Sequence, residues 1–146
     1  MAMIRKQLIA AAVYPVIVFP LAIIWHLVLF PDRYVTFGYF EGEPNIAVGL
    51  ASMIIQGAVL AAIYPMFRLG QAGFGRAFRF AGLLGLFFWT SHVLALVAKP
   101  NVPGAGVFIA METVFLSLQF GLFALALGVI FRGQDQGALP SARLST

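Results

Sequence analysis

The sequence predicts an all-α, polytopic membrane protein, a four-helix bundle built from two repeated transmembrane hairpins. Three observations carry that expectation: a composition too apolar to cover a water-facing surface, four apolar stretches each long enough to cross a bilayer, and basic residues gathered at alternate turns. Of the 146 residues, 62% are hydrophobic and 10% charged, whereas a soluble domain carries about 25% charged residues. Each apolar stretch runs for about 20 residues, the length a helix needs to span the hydrocarbon core. The expected spans are 8–30, 46–67, 80–98 and 107–131, in a single membrane domain over 1–132. The remaining 133–146 segment is polar and aperiodic and reads as a disordered cytoplasmic tail. The spans use nearly the whole chain, so no separate soluble catalytic domain is expected within it.

The formal charge of +4 does not point to nucleic acid, because the basic residues sit at helix ends and form no stripe. Arg5 and Lys6 precede span one, Arg68, Arg76 and Arg79 separate spans two and three, and Arg132 and Arg143 follow span four. The other two turns hold only Arg33 and Lys99, so the positive-inside rule places both termini in the cytoplasm. The absence of cysteine excludes disulfides, thiolate metal sites and iron–sulfur ligation. A signal peptide competes for the N-terminal run, but that run from Leu8 to Phe30 is longer than the ~7 to 15 residues of a signal core and no A-x-A-like site closes it. It is read as a retained first span.

Span one contains Pro15 and Pro20, which remove backbone donors and bend the helix, so polar neighbours or close packing must satisfy the carbonyls freed near Ala11 and Val16. Trp25 and His26 lie near its outer end. The first outer turn is rich in aromatics (Tyr34, Phe37, Tyr39, Phe40), expected as an interfacial belt, while its acidic pair, Glu41 and Glu43, could fold back over the mouth of the bundle. Asn45 is placed to cap span two. There Ala47, Ala51, Ala58 and Ala62 form a stripe of small residues expected to admit another helix, and Gly49, Ser52 and Gln56 line a second face. The turn carrying Gly70, Gly73 and Gly75 lacks the G-x-x-x-x-G-K-[ST] pattern and flanking strand of a phosphate loop. Span three places Gly85, Phe88, Trp89 and His92 on one face by helical spacing, and span four carries Glu112 and Gln119 about 10 Å apart along one face. Ser117, Gly121, Ala124 and Gly128 form a further small-residue groove.

The two halves of the chain echo one another. Trp25 and His26 correspond to Trp89 and His92, Gln56 to Gln119, and Phe67-Arg68 to Phe131-Arg132, which suggests a duplicated hairpin in parallel orientation. His26, His92 and Glu112 then share one outer layer, with Gln56 and Gln119 deeper. Ionisable groups inside hydrocarbon are costly and mark functional sites. The runs FPLAIIWHLVLF, EPNIAVGLASMIIQG and WTSHVL resemble a group of small, uncharacterised four-span bacterial membrane proteins. That resemblance implies a bacterial inner-membrane location and a four-helix topology, and carries no activity.

The functional expectation is a binding or transport module, with a polar pocket in the outer half of the bundle. His26, His92 and Glu112 would line it, Gln56 and Gln119 would floor it, and Trp25 and Trp89 would flank it. Its ligand would be a small lipophilic molecule, a proton or a cation. The alternative is a subunit whose polar groups only pack it, or dock it to a second copy or another membrane protein. Three further readings use the same residues: a b-type haem on His26 and His92, a zinc ion on His26, His92 and Glu112, and an acid–base enzyme acting on a lipophilic substrate.

Overall fold

The structure, a computed structural model, describes residues 1–40, 42–67, 73–99 and 102–132. Every regular element among them is helical. The four long helices are α1 (Ala2–Leu29), α3 (Ile46–Met66), α4 (Phe74–Val97) and α5 (Ala105–Ile130), and a short helix α2 (Pro31–Thr36) lies between α1 and α3. All four long helices are apolar and long enough to cross a membrane, so the chain is a multi-pass membrane protein. Glu41, Arg68, Gly70, Asn101 and the 133–146 tail fall outside the described residues, so the expectations placed on them stay with the sequence.

Helix α1 lies along α3, α4 lies along α5, and α1 also packs on α5, the most buried of the four. The bundle has a terminal end, where α1 begins and α5 finishes, and a turn end, which holds the α1–α3 and α4–α5 connections. No backbone approach of similar extent joins α3 to α4 among the described residues. These two helices meet through rings at the terminal end, where Phe80 lies 5.1 Å from Tyr64 and 5.4 Å from Phe67 between centroids. Toward the turn end the space between them is left to a cavity.

Two helices overrun the apolar stretches at the terminal end, α1 starting at Ala2 and α4 at Phe74. Hydropathy marks where hydrocarbon begins, whereas a helix continues as long as its backbone bonds are made. The extra turns carry the basic residues. Lys6 Nζ donates to the Arg132 carbonyl at 3.2 Å, just past the end of α5, where a helix favours a cation. Arg76, expected in a solvated turn, is buried, with its guanidinium 5.3 Å from the centre of the Tyr64 ring.

Helix association in lipid depends on close packing and interhelical hydrogen bonds, since tails are as apolar as the side chains. Gly57 supplies the closest approach on α3. A Cβ there would stand 2.6 Å from the Ala11 carbonyl oxygen, the carbonyl that Pro15 deprives of its donor, and 3.0 Å from Tyr14 Cβ. The face of α3 that packs on its neighbours therefore runs through Gly57, Leu60, Ala61 and Tyr64. The alanine stripe expected to do so is exposed: Ala47, Ala51, Ala58 and Ala62 all face away from the bundle. The Ala11 carbonyl, which Pro15 leaves without a donor, approaches α3 so closely that only a residue without a side chain fits against it. On α5, Ala124 and Gly128 are buried, and Gly128 makes room for the Phe74 ring, whereas Ser117 is exposed.

The connection after α1 is also corrected by the structure. Its aromatics do not form a belt: α2 turns the segment back over the bundle, so that Tyr34 is fully buried and Phe37 nearly so. Phe108, at the start of α5, receives them with ring centroids 6.5 and 5.4 Å away. Glu43, expected with Glu41 to cover the mouth, is exposed. Asn45 caps α3 as expected, its side chain accepting from the Val48 amide at 3.0 Å.

Candidate functional site

Glu112 sits one to two turns into α5, with no exposed surface, and its carboxylate draws three elements together. Tyr34 of α2 donates to Oε1 at 2.5 Å, and Tyr34 in turn accepts from Trp25 Nε1 at 2.8 Å. His26 Nε2 stands 3.3 Å from Oε1, and His92 Nε2 stands 3.3 Å from Oε2. The His92 contact is not aligned as a hydrogen bond, so Oε2 has none among the described residues. His92 Nε2 instead pairs with the Tyr39 hydroxyl at 3.2 Å. The two imidazoles, one from each hairpin, thus face the two oxygens of one carboxylate.

Local backbone geometry aims both histidines. His26 is third in a π-helical stretch, Ile24–Leu29, and His92 is third in another, Thr90–Leu94. A π turn pairs i with i+5 and widens the helix, a distortion frequent at functional sites. In α1 the His26 ring meets the Ala22 carbonyl, with Nδ1 at 2.9 Å. A carbonyl only accepts, so Nδ1 carries the proton, and the Nε2–Oε1 contact is a hydrogen bond when one proton lies between the two atoms. His26 and Glu112 therefore share one proton across this 3.3 Å contact. Rings enclose it: Phe115 lies edge-on to His26 at 4.6 Å and Tyr39 is stacked on it at 5.8 Å.

Outside the spans, burial first and the adjoining Glu112 carboxylate second hold the Tyr34 hydroxyl well above the ordinary tyrosine range. Tyr39 is raised for the same two reasons, again with burial the larger. Both stay protonated, which keeps Tyr34 a donor to Glu112.

Deeper in the bundle a second polar group links three helices. Gln119 Nε2 donates to the Tyr14 hydroxyl at 2.6 Å, and Tyr14 donates to Gln56 Oε1 at 2.9 Å. Among the described residues each amide keeps one unused end, the Gln56 NH2 group and the Gln119 carbonyl. Between these amides and the imidazoles lies a cavity of about 360 Å³, bordered by His26, His92, Tyr39, Gln56, Gln119 and the rings of Phe19 and Phe88. Gly49 and Ser52 line its α3 side. Below the amides, toward the terminal end, the fully buried Phe123 and Leu127 and the nearly buried Phe80 close the bundle.

Of the residues expected to form a pocket, the structure gathers His26, His92, Glu112, Gln56 and Gln119, with Glu112 behind the imidazoles instead of on the cavity wall. Trp25 supports Tyr34 and does not line the cavity. Trp89 is directed elsewhere, its Nε1 donating to Thr113 at 2.9 Å beside an apolar groove of about 490 Å³ between α4 and α5. The π stretch beginning at Thr90 explains that separation, since it turns His92 off the face shared with Trp89 by helical spacing. Sequence reasoning passed over Tyr14, Tyr34 and Tyr39. The signal for Tyr14 was available, as the one polar side chain near the middle of span one.

The arrangement discriminates among the cofactor readings. A bis-imidazole haem needs both nitrogens on opposite faces of one porphyrin, and here a carboxylate occupies the interval between them. Among the described residues no group of three or more His, Cys, Asp and Glu is disposed to hold a metal ion. The site is that of a four-helix membrane protein with a proton-holding carboxylate cluster beside an intramembrane cavity. Comparison with protein-family models, curated proteins and solved structures returns no match, and the function is read from this chemistry alone.

Proposed function

We propose that the chain is a membrane-embedded binding module that takes a small, neutral, lipophilic molecule into the cavity between α3 and α4. The observation that carries the reading is the cavity itself, in which apolar rings surround a few convergent polar groups, the usual make-up of a small-molecule site. Glu112 is sealed behind His26, Tyr34 and His92 and offers a cation no direct contact, which favours a neutral ligand over a charged one. The closed terminal half of the bundle favours binding over passage. In this reading the turn end faces outward and the basic terminal end faces the cytoplasm of a bacterial inner membrane. The distribution of Arg and Lys and the resemblance to small four-span bacterial proteins support that placement. A duplicated hairpin belongs to the same proposal, supported by the matching positions of His26 and His92 in their π stretches.

The test is binding of 1-aminoanthracene, a neutral fluorescent amphiphile, to the purified protein in detergent. Gly49 borders the cavity, and a Cβ built there meets nothing within 4 Å, so Gly49→Phe fills the space without straining the helix. The proposal expects saturable fluorescence enhancement in the wild type and its loss in Gly49→Phe. Equal enhancement in a folded Gly49→Phe protein would overturn it. A second reading, a subunit that packs on another membrane helix, is favoured by the small-residue groove along α4 and α5 that contains Gly82, Gly85 and Gly121.

A further inference from the structure

We infer that the ligand is a quinone headgroup, a flat ring with oxygens at opposite ends, held between His92 and Gln56. The inference rests on the binding reading above and names its ligand class. It starts from what the cavity leaves unsatisfied. Nε2 of His92 pairs with Tyr39 and faces the Glu112 carboxylate, and Nδ1 has no partner among the described residues. The imidazole side chain is about a third exposed, at 31%, in a protein where the neighbouring Glu112 is sealed. At the deeper level the Gln56 NH2 group has no partner among the described residues, because Tyr14 occupies only the oxygen of that amide.

The spacing of the two levels suits such a ring. Glu112 marks the imidazole level and Gln119 the amide level, and seven residues of helix separate them by about 10 Å. Two carbonyl oxygens placed para on a six-membered ring are about 5 Å apart by ordinary bond lengths, and two hydrogen bonds add about 2.8 Å each. The total is about 11 Å. A ring in that position lies among Phe19, Phe40, Phe88 and Phe115, which border the cavity and offer it flat apolar faces.

Other lipophilic ligands meet the site less well. Among the described residues no Lys or Arg borders the cavity to pair a fatty-acid carboxylate, and the one carboxylate beside it, Glu112, is already held by His26 and Tyr34 and is not free to pair an amine. The volume of about 360 Å³ is small for a whole isoprenoid lipid. It accommodates a headgroup, whose tail must leave between α3 and α4, the pair of long helices that separates toward the turn end. Hydrogen bonding by the protein has the polarity a quinone needs, since a quinone carbonyl accepts and the Gln56 amide donates. Where His92 Nε2 accepts from the Tyr39 hydroxyl, the ring proton is on Nδ1 and is available to the second carbonyl.

The experiment uses the full chain in lipid nanodiscs, with decylubiquinone as the probe and quenching of Trp25 and Trp89 fluorescence as the readout, in competition with 1-aminoanthracene. The expected result is saturable quenching with displacement of the fluorophore. His92→Ala and Gln56→Leu should each weaken decylubiquinone binding by about tenfold, the worth of one hydrogen bond. Ser117→Ala, on the separate α4–α5 groove, should leave it unchanged. Circular dichroism and gel filtration confirm that each variant is folded. Decylubiquinone affinity indifferent to both His92→Ala and Gln56→Leu overturns the inference. Gly49-dependent binding of 1-aminoanthracene without displacement by decylubiquinone overturns the quinone class and leaves the binding module standing. Gly49-independent behaviour of both probes overturns both.

Discussion

Replacing Glu112 by Gln preserves the shape of the side chain and removes its charge, so it isolates what the carboxylate contributes. In the wild type Oε1 accepts from Tyr34 at 2.5 Å and faces His26 Nε2 at 3.3 Å, while Oε2 faces His92 Nε2 at 3.3 Å. A glutamine carbonyl in the Oε1 position keeps the Tyr34 bond as a neutral one. It does not keep His26: with Nδ1 committed to the Ala22 carbonyl, a neutral ring presents a lone pair to a carbonyl oxygen. Hydrogen bonds to charged groups contribute about 1.5–3 kcal/mol and neutral ones about 0.5–1.5 kcal/mol. One bond weakened and one lost amount to a cost of about 2.5–4.5 kcal/mol. Glu112→Ala leaves Tyr34 and His26 without their buried partner and should cost about 3–5 kcal/mol. Reversible unfolding by sodium dodecyl sulfate in mixed micelles measures both. A double-mutant cycle of Glu112→Gln with His26→Asn should show a coupling above ~1 kcal/mol, because the two side chains share one proton. Glu112→Gln at wild-type stability, or additive within ~0.5 kcal/mol with His26→Asn, would refute the reasoning.

A side chain at Gly57 must push α1 and α3 apart, because its Cβ meets the Ala11 carbonyl oxygen at 2.6 Å; Gly57→Ala should cost about 1–3 kcal/mol in the same unfolding assay, whereas Gly121→Ala, with open space around its Cβ, should not destabilise. Tyr14→Phe removes the hydroxyl that joins Gln56 to Gln119 and leaves two amide groups unpaired, at a cost of about 1–3 kcal/mol. The raised hydroxyls of Tyr34 and Tyr39 set an alkaline limit. Their folded values lie above the ordinary 10.0, so the stability they contribute is complete below about pH 10 and is lost as the pH rises beyond it, where the unfolded chain releases its protons first. Unfolding measured from pH 8 to 11.5 should show that decline in the wild type and a shallower one in Tyr34→Phe; equal slopes would contradict it.

The architecture was legible because hydropathy and charge act over whole segments. Four spans and the two hairpins follow from them, and only the helix ends shift, by the few turns that carry Arg5, Lys6 and Arg76. Depth was legible too, since His26, His92 and Glu112 were placed in one layer by counting residues from the span ends. Rotation about the helix axis was not. A regular 3.6-residue period puts Trp89 beside His92, and the π stretch at Thr90–Leu94 parts them. The same limit hid the packing face of α3, where the carbonyl freed by Pro15 selects Gly57 over four better-spaced alanines. Tyr34 was misplaced for a different reason: an aromatic-rich turn in a membrane protein reads as a belt, and only the reversal through α2 brings that hydroxyl to Glu112.

The claim on which the site depends is that one buried carboxylate is held between imidazoles from both hairpins. Solid-state NMR on the full chain in bilayers, with 15N in histidine and 13C in the glutamate carboxyl carbons, measures that geometry through dipolar couplings. The account predicts couplings from both His26 Nε2 and His92 Nε2 to Glu112, with each nitrogen 3.3 Å from a carboxylate oxygen. A coupling from only one imidazole, or from neither, would contradict it.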